Sequence, residues 1–330
     1  MKRRDFIVGA AALATPTLTR AESETKTAKR PLIGILALSA SEHDDSEIQA
    51  FVEALAQLGY VDGQTATILR SYGNFDVARL AVLAAALAVS SPDVILADTA
   101  SPIKAARNAA PNIPIVGAAM SYPIEQGLIA SFSRPGGNIT GVASQVEDMD
   151  SKILELMNEI IRDAKSVGLL LNPNATLSEL EERDLRAAAR KLGIGFEVAE
   201  ARQPSDIEGA IGKLARDGVS FLAMQPNTLF VGERIRIMEL ANAAHLPTVS
   251  TQATNDLIGA GAFLIYSANY PEPFRRAAVF VDKIIKGARP GDLPVEFPTR
   301  LRLAINLKTA KALGITIPQS VLLRADEVIE

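Results

Sequence analysis

The chain has 330 residues and a formal net charge of −4, with 48% hydrophobic and 22% charged residues. An acidic balance disfavours nucleic acid and anionic membrane surfaces as partners. The sequence contains no cysteine, which excludes disulfides, thiol catalysis, zinc–thiolate sites and iron–sulfur clusters.

Residues 1–21 have the features of a cleavable export signal. The sequence RRDFI at 3–7 is close to the Arg-Arg-x-Phe-Leu core of twin-arginine signals, and TRA at 19–21 fits a small-x-small cleavage site. The apolar run between them is shorter than the ~20 apolar residues that a membrane-spanning helix needs. We therefore expect export to the periplasm by the twin-arginine route, with 22–30 as a solvated linker.

Strands and helices alternate from residue 31 onward. The predicted strands of the first unit are PLIGILAL (31–38), TATILRSY (65–72), DVILA (93–97) and IPIVGAA (113–119), and its helices are 46–60, 77–89 and 101–109. Continuous apolar strands separated by helices are typical of a parallel, doubly wound sheet. The first unit is therefore predicted to be an α/β lobe.

The same alternation restarts after RPGGNITGVAS (134–144). Helices are predicted at 152–164, 177–193, 206–218 and 232–245, and strands at 166–171, 195–201, 220–225 and 247–250. An amphipathic helix (274–287), a Pro-rich extended crossing (289–299) and a last strand and helix (301–314) complete the chain. A mature length of about 300 residues also favours two lobes over one core. No further run is long and apolar enough to span a membrane, so the mature protein is expected to be soluble.

Polar loops follow the predicted strands. Ligands of doubly wound sheets bind at the carboxyl ends of the strands, where loops enter helix N-termini. The loops at these positions are rich in Ser, Thr, Asn and Gln: 39–41, 98–101, 120–123, 172–176, 225–228 and 250–255. The same residue types also cap helices and form turns, so ligand contact is expected of the set and not of every member.

Signals for catalysis are absent from the sequence. His43 and His245 are the only histidines, and their contexts favour surface or capping roles. No nucleophile elbow, Walker loop or dinucleotide-binding glycine motif occurs. The carboxylates at 44–45 and 147–150 could gather a cation, but acidic residues at helix starts explain them equally well. We expect no enzymatic activity, no cofactor and no metal ion.

Four longer strings resemble one family across residues 31–330. They are FVEALAQLGYVDGQ (51–64), RPGGNITG (134–141), FRRAAVFVDKIIKGARPGDLPVEFPT (274–299) and INLKTAKALGITIPQSVLLRADEVIE (305–330). Together they closely resemble the ABC-transporter substrate-binding proteins, a family that includes tryptophan- and tyrosine-binding members and many members of unknown ligand. The C-terminal strings are the most specific part of the resemblance.

The resemblance implies a type I periplasmic-binding-protein fold, in which two doubly wound parallel-sheet lobes are joined by three crossings. The crossings are expected near 142–149, 247–257 and 290–300. The expected first lobe comprises 31–145 and 258–290, and the expected second lobe comprises 146–257 and 291–330. The ligand would lie in the cleft between the lobes.

The resemblance also implies a ligand and a set of contact residues. Members with a known ligand tend to bind an amino acid, often aromatic, with its carboxylate against first-lobe helix N-termini. Carried over by position, the first-lobe candidates are Ser39, Ser41, Thr99, Ser101, Ser121 and Tyr122. The second-lobe candidates are Asn172, Gln225, Asn227 and Thr251, with Tyr266 from the returning segment. Tyr122 and Tyr266 are candidates for an aromatic clamp.

Two loops depart from the pattern of the family. Relatives commonly have a Gly-Thr-Pro-like turn where this chain has Ala97-Asp98-Thr99-Ala100, and Gly-Asp-Pro where it has 120–123. A carboxylate at Asp98 could repel an anionic ligand or bind an amino group. Asp98 is therefore added to the predicted ligand-binding residues, and the ligand need not be an α-amino acid.

The sequence thus predicts an exported, monomeric receptor of an ABC importer. It would capture a small ligand, an amino acid or a related and possibly aromatic compound, and present it to a membrane permease powered by a cytoplasmic ATPase. Two alternatives stay open: a periplasmic enzyme, because the twin-arginine route often carries redox proteins, and a sensory ligand-binding protein on the same fold.

Overall fold

A computed structural model describes residues 30–39, 46–144, 148–225, 227–251, 255–269 and 271–330. Five parallel strands form the first sheet, in the order β2-β1-β3-β4-β5. They are β1 (Leu32–Ala37), β2 (Thr67–Tyr72), β3 (Val94–Ala97), β4 (Ile115–Met120) and β5 (Ile139–Ala143). The helices between them are α1 (Ser46–Gln57), α2 (Val77–Val89) and α3 (Ala100–Ala109). The predicted doubly wound first lobe is confirmed.

Seven strands form the second sheet, in the order β12-β11-β10-β9-β8-β6-β7. They are β6 (Ser166–Leu171), β7 (Gly195–Glu200), β8 (Phe221–Met224), β9 (Thr248–Ser250), β10 (Leu264–Ala268), β11 (Leu301–Asn306) and β12 (Glu327–Ile329). The helices of this lobe are α4 (Met149–Ile160), α5 (Ser178–Leu192), α6 (Ile207–Arg216), α7 (Thr228–Gly232), α8 (Arg234–Ala243), α9 (Asn255–Gly259), α11 (Leu307–Ala312) and α12 (Gln319–Leu322).

The second sheet is not entirely parallel. Strand β11 is antiparallel to β10, and β12 runs parallel to β11. The chain returns from the first lobe at the edge of the sheet where β10 ends. Strand β11 therefore starts beside the end of β10 and runs in the opposite direction. The expectation of a purely parallel second sheet therefore holds for five of its seven strands.

The chain passes between the lobes three times, and one predicted boundary is corrected. It leaves the first sheet after β5, returns after β10, and leaves again before β11. Strand β10 pairs with β9 and β11, so residues 264–268 belong to the second lobe. The next helix, α10 (Pro271–Ile285), packs on α1 and on the first sheet. The second crossing therefore lies between β10 and α10, and not near 247–257 as expected.

Helix α10 carries the returning segment into the core of the first lobe. Phe274, Phe280 and Val281 lie on one face of this amphipathic helix and are buried against the sheet with Phe51 of α1. On the same side, the hydroxyl of Tyr60 donates a 2.9 Å hydrogen bond to Asp282. These contacts explain why a segment so far along the sequence completes the first lobe.

The Pro-rich stretch also pairs with the edge of the first sheet. Glu296 donates its backbone N–H to Gly141 and accepts one from Ala143, so it pairs beside β5. Arg276 of α10 holds the Glu296 carboxylate with two hydrogen bonds, of 2.5 and 2.7 Å. The extended segment is thereby anchored on the first lobe before the third crossing. No helix in the described part of the chain is long and apolar enough to cross a membrane.

Candidate ligand-binding site

Asp98 joins two loops at the carboxyl end of the first sheet. Its carboxylate accepts hydrogen bonds from the backbone N–H of Leu38 (2.8 Å) and of Thr99 (2.6 Å), and from the Thr99 hydroxyl (3.1 Å). The residue is 6% exposed. Buried backbone donors need acceptors, and Asp98 supplies them where β1 and β3 end. Asp98 therefore ties the loop after β1 to the start of α3.

The other first-lobe candidates lie along the same edge. Thr99 is the N-cap residue of α3, and Ser101 lies in the first turn of that helix. Ser39 directly follows the loop residue that Asp98 holds, and its hydroxyl is buried with no hydrogen-bond partner among the described residues. Ser41 lies outside the described residues. The loops after β1 and β3 thus bring Ser39, Asp98 and Thr99 to the same edge of the first sheet.

The loop after β4 reaches across to the second lobe. Ser121 shares a 2.7 Å hydrogen bond with Ser144, at the start of the first crossing. Tyr122 has a left-handed backbone (φ 44°) and is 8% exposed. Its hydroxyl donates a 2.8 Å hydrogen bond to Oδ2 of Asp184 on α5. Tyr122 therefore links the first lobe to α5 of the second lobe, a contact that the sequence analysis did not predict.

Removing this hydroxyl should favour separation of the lobes. In Tyr122→Phe the ring stays but the hydrogen bond to a charged carboxylate is lost, and such bonds contribute about 1.5–3 kcal/mol. We expect a larger mean radius of gyration by small-angle X-ray scattering and an unchanged far-ultraviolet circular dichroism spectrum. Tyr266→Phe, which removes a tyrosine hydroxyl from β10, is the control. An unchanged scattering curve for Tyr122→Phe would show that this bond does not hold the lobes together.

Asn172, Gln225 and Asn227 form one hydrogen-bonded group at the carboxyl end of the second sheet. Oε1 of Gln225 accepts the backbone N–H of Asn172 (2.7 Å), and Nδ2 of Asn227 donates to the backbone carbonyl of Gln225 (3.2 Å). Asn227 is also the N-cap of α7, accepting the N–H of Phe230 (3.0 Å). Gln225 is 1% exposed, and its side-chain amide interacts with the carboxyl group of Glu181 on α5.

The two remaining candidates lie elsewhere in the second lobe. Thr251 directly follows β9 and is partly buried. Tyr266 of β10 lines a cavity of about 240 Å³. The other lining residues come from the first crossing, α4, α5 and β11: Asp148, Met149, Ser151, Lys152, Glu155, Lys191 and Leu301. No other predicted site residue lines this cavity.

Three carboxylic acids that the sequence analysis did not select gather beside Tyr122 and Gln225. Glu181 and Asp184 are three residues apart on α5, and therefore share a face of that helix, while Asp150 lies in the first turn of α4. We call these three residues the acidic subsite. Asp184 accepts from Tyr122 and from Arg183 (2.8 Å). Oε2 of Glu181 is buried, and the Glu181 carboxyl group interacts with the side chain of Gln225.

Burial and mutual repulsion raise the pKa values of this group. Burial, followed by the Asp184 charge, raises the pKa of Asp150 to about 6. Burial raises the pKa of Glu181 to about 8. A hydrogen bond with the Gln225 side chain opposes the rise, and the charges of Asp150 and Asp184 add to it. A carboxyl group that loses water without gaining a cation resists ionisation. Strongly shifted pKa values of this kind are concentrated at functional sites.

Metal coordination and catalysis are not suggested by the site. Among the described residues, no group of three His, Asp or Glu side chains has a geometry that could hold a metal ion. His245 is exposed just past the end of α8, and His43 lies outside the described residues. The site therefore offers hydrogen-bonding groups and carboxylates from two lobes, an arrangement that suits the binding of a small polar ligand.

Two α/β lobes, three crossings and a polar cleft define a type I periplasmic binding protein. The chain belongs to the ABC transporter substrate binding protein family, whose model matches residues 33–329. Among curated proteins, it is 27% identical over 294 residues to a tyrosine-binding protein of Clostridioides difficile, covering 88% of this chain and 83% of that protein. The predicted family and fold class are confirmed.

Solved structures agree with this assignment. A conserved domain protein from Vibrio cholerae is 25% identical, with a TM-score of 0.84 over 91% of this chain and all of the other. A Streptococcus pneumoniae domain in complex with L-Trp is 22% identical, with a TM-score of 0.83 and the same coverage. A ligand-free, open substrate-binding protein from Clostridium difficile is 24% identical, covers 91% of this chain and 99% of its own, and has a TM-score of 0.70. The last two likenesses show the shared fold.

Proposed function

We propose that this chain is the exported receptor of an ABC importer and that it captures a small amino-acid-like ligand between its two lobes. One observation carries the proposal. The loop after β4 and helix α5 meet through the Tyr122–Asp184 hydrogen bond, beside the polar ends of both sheets. A ligand held there would contact both lobes, and would therefore stabilise the closed arrangement over the open one.

The ligand class is supported by the relatives. The curated relative from Clostridioides difficile is named a tyrosine-binding protein, and the Streptococcus pneumoniae structure contains L-Trp. For this chain we propose an amino acid or a related compound, which can be aromatic. The proposed contacts are Ser39, Ser41, Asp98, Thr99, Ser101, Ser121, Tyr122, Asn172, Gln225, Asn227, Thr251 and Tyr266. We propose that the protein binds this ligand and does not transform it.

Hinge bending at the three crossings would provide the mechanism. Closure of this kind depends on a few residues at element ends, and the crossings after β5, after β10 and before β11 are such places. A dissociation constant of ~1 μM corresponds to about −8 kcal/mol, which a few charge-assisted hydrogen bonds and one aromatic contact can supply. The closed form would then dock on a membrane permease that is driven by a cytoplasmic ATPase.

The remaining parts of the proposal concern location and assembly. The RRDFI sequence and the TRA cleavage site support export by the twin-arginine route to the periplasm. A receptor that loads a permease must meet its ligand outside the cytoplasm. We propose that it acts there as a monomer.

Ligand-dependent stabilisation tests the proposal directly. The mature protein, refolded once to remove co-purified ligand, is screened by thermal unfolding against amino acids, aromatic acids and small sugars. A ligand at 100-fold over its dissociation constant adds ~2.7 kcal/mol to the stability. This gain raises the Tm by roughly 2–4 °C or more for lobes of this size.

A pair of variants locates the binding. Ser101→Trp places a large ring in the first turn of α3, at the proposed cleft, and should abolish the stabilisation without unfolding the protein. Asn108→Trp adds the same ring to the exposed last turn of the same helix and should leave the response intact. An equal response in both variants would remove the α3 loop from the site, and no response to any compound would count against the proposed ligand class.

A further inference from the structure

Helix α2 of the first lobe presents an apolar face to solvent. It packs on β1, β2 and α3 through Leu80, Ala84 and Leu87, which are buried. On its outer side Val82 is 72% exposed and Val89 is 85% exposed. The other exposed positions of the helix are Val77, Ala78, Arg79, Ala81, Ala85 and Ala86. Single exposed apolar side chains are common, but a contiguous set of them indicates an interaction surface.

This apolar face carries one charged side chain. Arg79 is the only charged residue of VARLAVLAAALAV (77–89). The solvent-facing positions of α5 and α10 are, by contrast, occupied mainly by charged residues. A helix that binds a membrane surface carries several lysines and arginines beside its apolar face, and α2 does not. The face of α2 therefore fits a protein partner better than a lipid bilayer.

The spacing of the exposed residues makes the face complementary to itself. Ala78, Val82, Ala85 and Val89 follow one another at intervals of four, three and four residues, which is the spacing of a coiled-coil seam. When a second copy of α2 lies antiparallel across a two-fold axis, Val82 faces Ala85 of that copy, and Val89 faces its Ala78. Each valine then packs against an alanine. The same contact is made twice, as the interface of a two-fold dimer requires.

The charge of Arg79 favours the same direction of pairing. Arg79 lies in the first turn of α2, at the positive end of the helix dipole, where a cation is unfavourable. The last turn of α2 contains no basic residue. In the antiparallel pair Arg79 lies beside the last turn of the second copy's helix, whose negative end attracts a cation. A parallel pair would instead bring the two arginines together.

The neighbouring edge of the sheet is less suited to such a contact. Strand β2 is the outer strand of the first sheet, and strands in this position can pair with another chain. Near the start of β2, however, Ile68 donates its backbone N–H to Asp62 (2.9 Å), and Arg70 donates to the carbonyl oxygen of Ile68 (3.1 Å). These two side chains cover the hydrogen-bonding groups of Ile68. Helix α2 is therefore the better contact surface on this side of the lobe.

We propose that α2 is a self-association surface, through which two copies of this protein pair antiparallel across a two-fold axis. The inference goes beyond the proposed receptor function and does not depend on the ligand. The face offers eight exposed residues of α2, whereas stable complexes use about 20–30 residues a side. The pairing is therefore weak, with a dissociation constant on the order of 0.1 mM. The dilute protein is a monomer, and the monomer remains the unit that binds the ligand.

Sedimentation equilibrium tests whether the pairing occurs. The mature protein is measured from about 5 μM to about 1 mM, a range that spans the expected dissociation constant. The weight-average mass should rise from that of a monomer towards that of a dimer and no further, because a two-fold contact closes after two copies. A mass that stays monomeric at every concentration, or that grows beyond the dimer, would contradict the inference.

A charge placed on the face connects the association to α2. Val82→Glu should be monomeric at every concentration. Its circular dichroism spectrum and Tm should match those of the wild-type protein, because glutamate is a good helix former and Val82 faces solvent. Ile235→Glu is the matched control, since Ile235 is 57% exposed on α8 of the second lobe. Self-association should persist in this control. Association that survives in Val82→Glu, or that is lost in both variants, would remove α2 as the contact surface.

Disulfide trapping tests the antiparallel register. The sequence contains no cysteine, so a variant with one cysteine can form a disulfide only between two copies. Val82→Cys and Ala85→Cys are oxidised separately and as an equimolar mixture. The mixture should form linked dimers faster than either variant alone, because positions 82 and 85 of opposite copies face each other at close range. Faster linking within the separate samples would indicate a parallel pair and would overturn the proposed arrangement.

Discussion

The ligand-free Glu181→Gln variant should be more stable than the wild-type protein at alkaline pH. The folded state raises the pKa of Glu181 from its ordinary value of 4.5 to about 8. Folding therefore favours the protonated carboxyl group, and the stability that this group contributes is fully present below pH 4.5 and is lost as the pH rises through 8. Gln cannot ionise and escapes this loss.

The expected effect is large enough to measure by urea unfolding. A pKa shift of one unit corresponds to about 1.36 kcal/mol, so Glu181→Gln should gain up to roughly 4 kcal/mol relative to the wild-type protein at pH 9. The gain should vanish near pH 4. Asp150→Asn should show a similar but smaller effect, complete by about pH 7, because the pKa of Asp150 is raised only to about 6.

Glu182→Gln provides the comparison for this experiment. Its carboxylate makes an exposed pair with Arg186, and exposed pairs contribute less than about 1 kcal/mol. Its stability profile should therefore parallel that of the wild-type protein. Equal pH profiles for Glu181→Gln and the wild-type protein would mean that folding does not raise the pKa of Glu181.

Among the glycines of the first lobe, Gly141 is the position where we expect substitution by alanine to destabilise the folded protein most. Gly141 ends the RPGGNITG string and lies in β5 with φ 137°. A Cβ atom there would lie 2.0 Å from the carbonyl oxygen of Gly117 and 2.8 Å from its nitrogen, both backbone atoms of β4. We expect a loss of ~3 kcal/mol or more, from overpacking and from a backbone conformation that side chains disfavour.

A second glycine of the same string serves as control. A Cβ atom at Gly137 would meet no heavy atom within 4 Å. Gly137→Ala should therefore change the free energy of unfolding by less than about 1 kcal/mol. Both variants are compared by urea unfolding and by yield of folded protein. A Gly141→Ala protein with wild-type stability would show that β5 can move away from β4 at no cost.

The regular elements could be predicted because their signals are local. Continuous apolar runs became β1, β3, β4 and β6, and the amphipathic spacing of 274–287 became α10. The loops at the strand ends could also be selected, because parallel strands bring their carboxyl ends to one edge. Asn172, Gln225 and Asn227 meet there through hydrogen bonds, as do Asp98 and Thr99.

Sheet membership could not be predicted, because strand pairing is not a local property. The segment 264–268 was expected in the first lobe, yet it pairs with β9 and β11 of the second. Its sequence is equally compatible with either sheet. The family strings gave the number of crossings, but the position of the second crossing depends on which partner strand is adjacent in the folded protein.

The sequence analysis did not identify the acidic subsite, because the segments that contain it resemble ordinary solvent-exposed helices. SELEERDLRAAARKL is so rich in charge that it reads as a solvated helix, and Asp150 reads as a favourable acidic residue at a helix start. The i, i+3 spacing of Glu181 and Asp184 was the available signal. It became meaningful only where α4, Gln225 and Tyr122 cover that face.

The sequence by itself determined the class of this protein, because the α/β alternation, the family strings and the polar loops all follow from short segments. The tertiary structure alone decided what those loops do. It made Asp98 a backbone anchor, joined Tyr122 to Asp184 across the cleft, and enclosed Glu181 with two other carboxylates. The physical reason is that burial and charge compensation depend on neighbours distant in sequence, and these set the pKa values and hydrogen bonds by which a cleft selects its ligand.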